Sequence, residues 1–363
     1  MNWIKNITII IVFTIASIKC ADLLLGHLAP DSTFGVNDPG IKRVLNFREI
    51  NPHFNASLWP SENYIEKTDS LERRGYLIRT DEYGFIENGN KINFSDGVSK
   101  SLIFFGGSTT EQLYVPERSR WQSILERNLN QIDLEQSYIV RNGGVSGNNS
   151  MHSNLNLLAK AVPLYPDFVV LMHNVNDLSL LRLTGSYWKA PRGTSLIQEQ
   201  QSLLFLVARQ IKDYLIPNSY QLVTVKTSNN DDFKDYRGSD IFDIDIIEAQ
   251  FKQSLNTFID ICLQWGIEPI LMTQFNRINL DDKLFKKESS NIVDTEKYTK
   301  SYLRLNDVIR EVSASRQVDL IDLANLIPSS SEYMYDSVHL NENGSRLTAE
   351  ILTDYWTKKF SLL

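Results

Sequence analysis

Cysteine is nearly missing from this chain. Cys20 and Cys262 are the only two in 363 residues, too few for a disulfide framework and not arranged as a Cys-x-x-Cys metal or redox motif. Histidine is scarce as well, with five scattered residues and no His-x-x-x-His pair, so neither a zinc centre nor any other metal or cofactor is expected. Positive charge is not in excess. Lys and Arg number 37 against 44 Asp and Glu, for a formal net charge of -7 and a pI near 5.4. No stretch gathers the basic side chains that a nucleic-acid backbone requires, which excludes that class of partner. Internal repeats and low-complexity tracts are absent too. What remains is globular composition, 42% hydrophobic and 22% charged, in a chain long enough for one large or two ordinary domains.

Long apolar runs are also lacking, apart from one at the start. Behind Lys5, residues Ile7 to Ile18 run without a charge. A membrane-crossing helix needs about 20 apolar residues, whereas a signal peptide has an apolar region of about 7–15 behind a basic start. Residues 1–20 therefore predict export, with the rest of the chain outside the cytoplasm. Ala21 would begin the mature chain, and Cys20 sits where a lipid-modified cysteine stands, although Lys19 is not the small residue such a signal has. A retained membrane anchor through Leu23-Leu24-Leu25 is the alternative, opposed by Lys19 and Asp22. Residues 21–100 then read as an irregular accessory region, broken by Pro30, Pro39, Pro52 and Pro60, with Tyr76–Ile86 as a short strand and turn leading to the core.

From Ser101 the pattern changes to alternating strand-like and helix-like segments, the signature of a parallel sheet flanked by helices. Strands are predicted at Ser101–Phe105, Tyr138–Arg141, Phe168–His173, Glu268–Thr273 and Val318–Asp322. Helices are predicted at Trp121–Gln131, His152–Val162, Phe242–Trp265, Glu296–Ser315 and Asn341–Phe360. The expected fold class is a three-layer α/β/α sandwich around a five-stranded, mainly parallel sheet, filling residues 101–363. Residues 178–241 are longer than a crossover requires and read as an insertion with a helix at Leu203–Leu215.

Four groups of chemistry-bearing residues fall after predicted strands, where open α/β sheets hold ligands. They are Gly106-Gly107-Ser108, Asn142-Gly143-Gly144-Val145-Ser146-Gly147, Asn174-Val175-Asn176-Asp177, and Asp336-Ser337-Val338-His339. Each alone has an ordinary explanation as a turn or helix cap. Together they supply the parts of an acyl-transfer site. A serine hydroxyl needs a base, and a histidine oriented by a carboxylate provides one. Ser108, His339 and Asp336 fit those roles. The backbone amides of Ser108 and Gly147 and the side-chain amide of Asn176 would stabilise a developing oxyanion.

In order, spacing and strand context these residues resemble the SGNH hydrolases, also called GDSL-type esterases and lipases, from about Ser101 to the C-terminus. The resemblance implies a nucleophile at Ser108, an oxyanion glycine at Gly147, an oxyanion asparagine at Asn176 and a closing Asp-x-x-His at Asp336 and His339. Two positions depart from the family pattern: Gly107 stands where many members have Asp, and Asn174 where many have Gly. The Gly-x-Ser-x-Gly elbow of α/β-hydrolases is missing, because position 110 is Thr. The activity implied is serine ester hydrolysis, removing acyl groups such as acetyl from a carbohydrate or cell-envelope ester. A carbohydrate O-acyltransferase using the same site, or an inactive binding protein, are the alternatives; the partner is an ester-bearing small molecule or glycan.

Overall fold

The computed structural model describes residues 10, 12–18, 20–21, 43–45, 47–90, 99–133, 135–189, 196–199, 242–278, 284–285 and 294–361. Strands β1 to β9 are Arg43–Leu45, Asn55–Leu58, Tyr76–Arg79, Ser99–Gly106, Ser137–Gly144, Phe168–Met172, Ile197–Glu199, Glu268–Met272 and Asp319–Ile321. The helices that matter below are α1 Glu62–Ile65, α2 Ser108–Glu111, α3 Trp121–Ile132, α4 Ser150–Asn156, α5 Val175–Thr184, α6 Ile244–Gln264, α7 Thr295–Arg316, α8 Leu323–Leu326 and α9 Glu342–Ser361. The chain falls into two compact units, residues 1–46 with 195–222 and residues 47–194 with 223–363. In the first, β1 pairs antiparallel with β7. Residues 12–18 are helical and exposed, and no helix among the described residues is long and apolar enough to cross a membrane.

The second unit is built on one sheet of order β5-β4-β6-β8-β9, in which every pairing is parallel. A parallel sheet has both faces covered, so its central strands should be apolar throughout rather than alternating. Leu102 to Phe105 of β4 and all of β6 are buried accordingly. Period-2 alternation sends Leu102, Phe104, Val170, Met172, Ile270 and Met272 to one face, where they meet Trp121 and Leu125 of α3 and Leu352 and Trp356 of α9. Helices α6 and α7 pack with β8, and α4 with β4, completing the other layer. Helix α6 starts where the Asp243 carboxylate accepts the N–H groups of Asp245 and Ile246, satisfying two of the amides a helix start leaves open. Its buried residues Ile247, Phe251, Leu255, Phe258 and Cys262 recur every three or four positions.

The five expected strands are all present, within a few residues of the predicted bounds. Two expectations need correction. The segment after β6 does not go directly into an insertion: Val175–Thr184 is helical and buries Leu178, Leu180, Leu181 and Leu183, ending at Gly185 with φ +63°. Leucines at that density feed the core, so the excursion begins later than residue 178. The helix expected from His152 starts earlier, at Ser150, and gives way at Leu157 to a wider π turn and then a 3₁₀ turn carrying Pro163. The helix predicted at Leu203–Leu215 lies outside the described residues.

Residues 47–90 belong to the same unit as the sheet. Strands β2 and β3 form an antiparallel pair, followed by a tight turn in which Asp81 accepts the N–H groups of Tyr83 and Phe85. The chain then runs along the open edge of β5. Ile86 N–H donates to Asn142 O at 2.9 Å and Asn88 Nδ2 to Val140 O at 2.6 Å. Such cover blunts an exposed strand edge.

Trp356 is fully buried and packs edge-on against Phe168 with ring centroids 4.9 Å apart. Truncating a buried aromatic residue leaves a cavity and costs about 3–5 kcal/mol. Trp356→Ala should lower the unfolding free energy by that amount in urea titration, and a loss under 1 kcal/mol would mean that this core layer is not formed as described.

Candidate active site

Strand β4 delivers its last residue, Gly106, to the carboxyl edge of the sheet at the point where the chain turns to β5 on one side and later to β6 on the other. That reversal of strand order opens a crevice in an α/β sheet. Ser108 stands at its mouth as the first residue of the one-turn helix α2, which stops because Gln112 takes a left-handed conformation with φ 55°. The last loop of the unit, between α8 and α9, brings Asp336 and His339 to the same place.

Ser108 Oγ and His339 Nε2 are 2.8 Å apart, and His339 Nδ1 lies 2.6 Å from Asp336 Oδ2. An ionised carboxylate can only accept, which assigns the imidazole proton to Nδ1 and leaves Nε2 to accept from the serine hydroxyl. The other carboxylate oxygen, Oδ1, accepts the backbone N–H groups of Val338 at 2.9 Å and His339 at 2.7 Å. Burial pushes the Asp336 carboxyl upward, but the His339 charge, its hydrogen bond and the two amides outweigh that and hold it below the usual range. The ring of Tyr335 stacks on the imidazole, with centroids 5.5 Å apart and planes 6° from parallel.

Asn176, on the first turn of α5, donates from Nδ2 to Asn148 O at 2.7 Å. A side-chain amide has two N–H groups, so one remains after that bond. The amide lies directly over Gly107, where an added Cβ would come within 2.3 Å of Asn176 Nδ2. Gly107 is thus the residue that admits the asparagine beside Ser108, and an Asp at this position would displace it. Gly147 is exposed and has φ +77°, a conformation that favours glycine. Arg48 braces its loop: Nε donates to Asn148 Oδ1 and Nη2 to Ser146 O, each at 3.0 Å, while Asn148 Nδ2 donates back to Arg48 O at 3.1 Å.

The second departure from the family pattern also has a structural role. Asn174 has φ −165°, outside the left-handed region that favours glycine. Its Nδ2 donates to Tyr302 O at 2.9 Å and Asn306 Oδ1 at 3.1 Å, tying the turn after β6 to α7. Beside it, Gln274 accepts Val175 N–H at 2.9 Å and donates to Thr109 Oγ1 at 2.9 Å. One buried amide thereby links the turn that carries Ser108 to the turn that carries Asn176.

All five residues named from sequence therefore meet at the same edge of the sheet or on its adjoining loops. Sequence reasoning missed Tyr64, Arg48, Gln274 and Glu111. Tyr64 donates its hydroxyl to Asp336 Oδ2 at 2.9 Å. Burial lifts the Glu111 carboxyl above its usual range, partly offset by the Ser146 hydroxyl and by Arg120. Glu111 stands three residues after Ser108, a spacing that was readable; the other three carry no local signal. Among the described residues, no group of three or more His, Cys, Asp or Glu side chains could hold a metal ion.

No family model and no curated protein matches the chain. Similar solved structures include a GDSL-like lipase from Bacteroides thetaiotaomicron, at 14% identity and TM-score 0.41, covering 73% of this chain and 93% of that one. A lipase/acylhydrolase from Enterococcus faecalis has 15% identity and TM-score 0.42, covering 72% and 96%. A variant of an acetyl xylan esterase from Geobacillus stearothermophilus has 13% identity and TM-score 0.42, covering 71% and 94%. Likeness this distant carries no statement about the chemistry of this chain.

A second buried cluster lies behind Asn176. Asp177 accepts from the Tyr187 hydroxyl at 2.6 Å and from the Ser150 hydroxyl at 2.5 Å, and burial lifts it to about 6. His173 faces Ser153 Oγ across 2.7 Å, and burial drives it down to about 3. The unfolded values are about 6.5 for His and 3.9 for Asp. From pH 6.5 down to 3 the unfolded state binds the His173 proton and the folded state does not, so this group removes stability as pH falls. Asp177 acts in the opposite sense, because the folded state holds its proton between pH 6 and 4. His173→Gln should therefore gain stability relative to wild type as pH falls from 7 to 4, read from urea unfolding at several pH values. Parallel pH curves for the two proteins would show that His173 is not a buried neutral imidazole.

Proposed function

We propose that the chain is a serine ester hydrolase of the SGNH type, working through an acyl-enzyme on Ser108. The observation that carries this reading is the unbroken hydrogen-bonded series from Ser108 Oγ through His339 to Asp336. In the first half-reaction His339 Nε2 takes the serine proton as Oγ bonds to the ester carbonyl carbon. The tetrahedral intermediate carries its negative charge on the former carbonyl oxygen. The backbone N–H groups of Ser108 and Gly147 and the free N–H of Asn176 are the proposed donors to that oxygen. Collapse breaks the bond to the alkoxy group, which leaves as the alcohol with the proton from His339. Water then repeats the sequence: it gives His339 a proton, attacks the acyl carbon, and releases the carboxylic acid while Ser108 regains its hydrogen. Asp336 stays ionised and stabilises the imidazolium in each half-reaction.

Acyl groups such as acetyl on a carbohydrate or cell-envelope ester are the proposed substrate class. That choice rests on the N-terminal run, which supports export to where such esters occur, and on the resemblance of the motif set. No cofactor enters the scheme.

Ser108→Ala should reduce turnover of a short-chain nitrophenyl ester at least about a thousandfold and abolish labelling by a fluorophosphonate probe. A variant as fast as wild type would rule out this mechanism. Because the base must be neutral, wild-type kcat/KM should rise with pH through one proton in the range where imidazoles titrate, about pH 5 to 8. Asn176→Ala should lower kcat by about 10²–10³, the usual cost of one oxyanion donor. An unchanged kcat in that variant would remove Asn176 from the oxyanion site.

A further inference from the structure

The triad's carboxylate is held by more than the loop it belongs to. Asp336 Oδ2, the oxygen that faces His339, also accepts the Tyr64 hydroxyl at 2.9 Å. Tyr64 lies in α1, 272 residues earlier in the chain, outside every motif named from the sequence. Its ring is fixed by neighbours on two sides. It sits 5.6 Å from the ring of Tyr114 and meets Tyr335 edge-on at 6.4 Å. Helix α1 is itself capped, with the Ser61 hydroxyl accepting Tyr64 N–H. Just beyond it, Asp69 N–H donates to Tyr335 O at 2.9 Å, and the Asp69 carboxylate pairs with Arg277. Arg277 N–H in turn donates to Ser337 O at 2.7 Å. The Asp-x-x-His loop is thus gripped on both sides of Asp336.

We propose that Tyr64 is a positioning residue of the catalytic triad, setting the orientation and basicity of Asp336 and through it the pKa of His339. The inference rests on the proposed triad chemistry. With Oδ1 taken by two backbone amides, the remaining freedom of the carboxylate is at Oδ2, and a second donor there fixes its rotation relative to the imidazole. A hydroxyl donated to a carboxylate also stabilises its charge. Oδ2 is then a weaker partner for the imidazolium, and His339 loses its proton at lower pH than it would beside a bare carboxylate. Other groups near the pair are Tyr335 on its own loop, which Tyr76 and Tyr114 face, and the buried Glu111, which interacts with His339 and Arg120. None of these donates to Oδ2.

Tyr64→Phe keeps the ring and removes the hydroxyl, and with it the donor to Asp336 and a hydrogen bond shared with Tyr335. The carboxylate should become more basic, the imidazolium more stable, and the acidic limb of kcat/KM should move upward by roughly half a pH unit. At neutral pH, kcat should fall by about tenfold with KM within twofold of wild type, because one hydrogen bond to a charged group is lost and the substrate contacts are not. Tyr114→Phe, one ring away in the same cluster, should leave the profile in place. The same shift should appear without any substrate, in the His339 ring resonances of histidine-labelled protein followed by NMR against pH and assigned with His339→Gln. An imidazole pKa equal in wild type and Tyr64→Phe would overturn the inference. Absence of ester hydrolysis by the wild type would count against the proposed function alone, since the NMR titration reads the Tyr64 effect independently.

Discussion

The hydrogen bond between Ser108 and His339 joins residues 231 positions apart, and much of the second unit can be understood as the scaffold that closes this distance. A flexible chain loses little more by closing a long loop than a moderately long one, because the entropy cost grows only with the logarithm of length. What is costly is holding the two ends to within a few tenths of an ångström. The parallel sheet does this by ending its strands on one edge, so that each βα turn adds its side chains to a shared crevice. Gln274 then fastens two of those turns to each other through Thr109 and Val175, which fixes the turn that carries Ser108 against the turn that carries Asn176.

The same fold treats its buried carboxylates differently, and the difference follows from their donors. Asp336 accepts two backbone amides, the imidazole and a tyrosine hydroxyl, and it stays ionised despite burial. Glu111 has the hydroxyl and backbone amide of Ser146 and the charges of Arg120 and His339, and burial still prevails. Asp177 has the Ser150 and Tyr187 hydroxyls and the backbone amides of Ser150 and its own residue, yet burial outweighs them and it rises to about 6. Carboxyl groups pushed apart in this way can take different roles within one site. Of the three, only Asp336 is held below the usual carboxylate range, because the His339 charge and its donors outweigh burial.

The strands and the site could be read from sequence for a common physical reason. Segments such as Leu102–Phe105 and Phe168–Met172 are apolar because a doubly covered strand must be, and Ser108, Asn176 and the Asp336–His339 loop follow strands or begin helices, where short-range turn chemistry marks them. Helix α5 has no one-sided stripe, because Leu178, Leu180, Leu181 and Leu183 are spread around it, which suits a helix buried on several sides and defeats a periodicity argument. Gly107 and Asn174 looked like deviations for want of three-dimensional context. One makes room for Asn176, and the other anchors a turn to α7. Contacts of this kind pair residues far apart in the chain, and no window of sequence contains them.

Residues 47–90 raise the same point on a larger scale. Read locally, they are an irregular stretch with prolines, aromatic residues and mixed charge, which suggests an accessory region. In the structure, Arg48 holds the loop of Gly147 and Tyr64 holds Asp336, so one N-terminal segment reaches both the Gly147 loop and the Asp336 loop. The Asp336–His339 loop needs this help. Its own hydrogen bonds, from Val338 and His339 to Asp336, set the acid relative to the base but leave both free to move as a body with respect to Ser108. Only contacts from outside the loop can remove that freedom, and the Tyr64 hydroxyl and the Asp69–Arg277 pair supply them. The bottom of the crevice is therefore a property of the sheet, whereas the alignment of Asp336 and His339 against Ser108 is a property of the segment that wraps it.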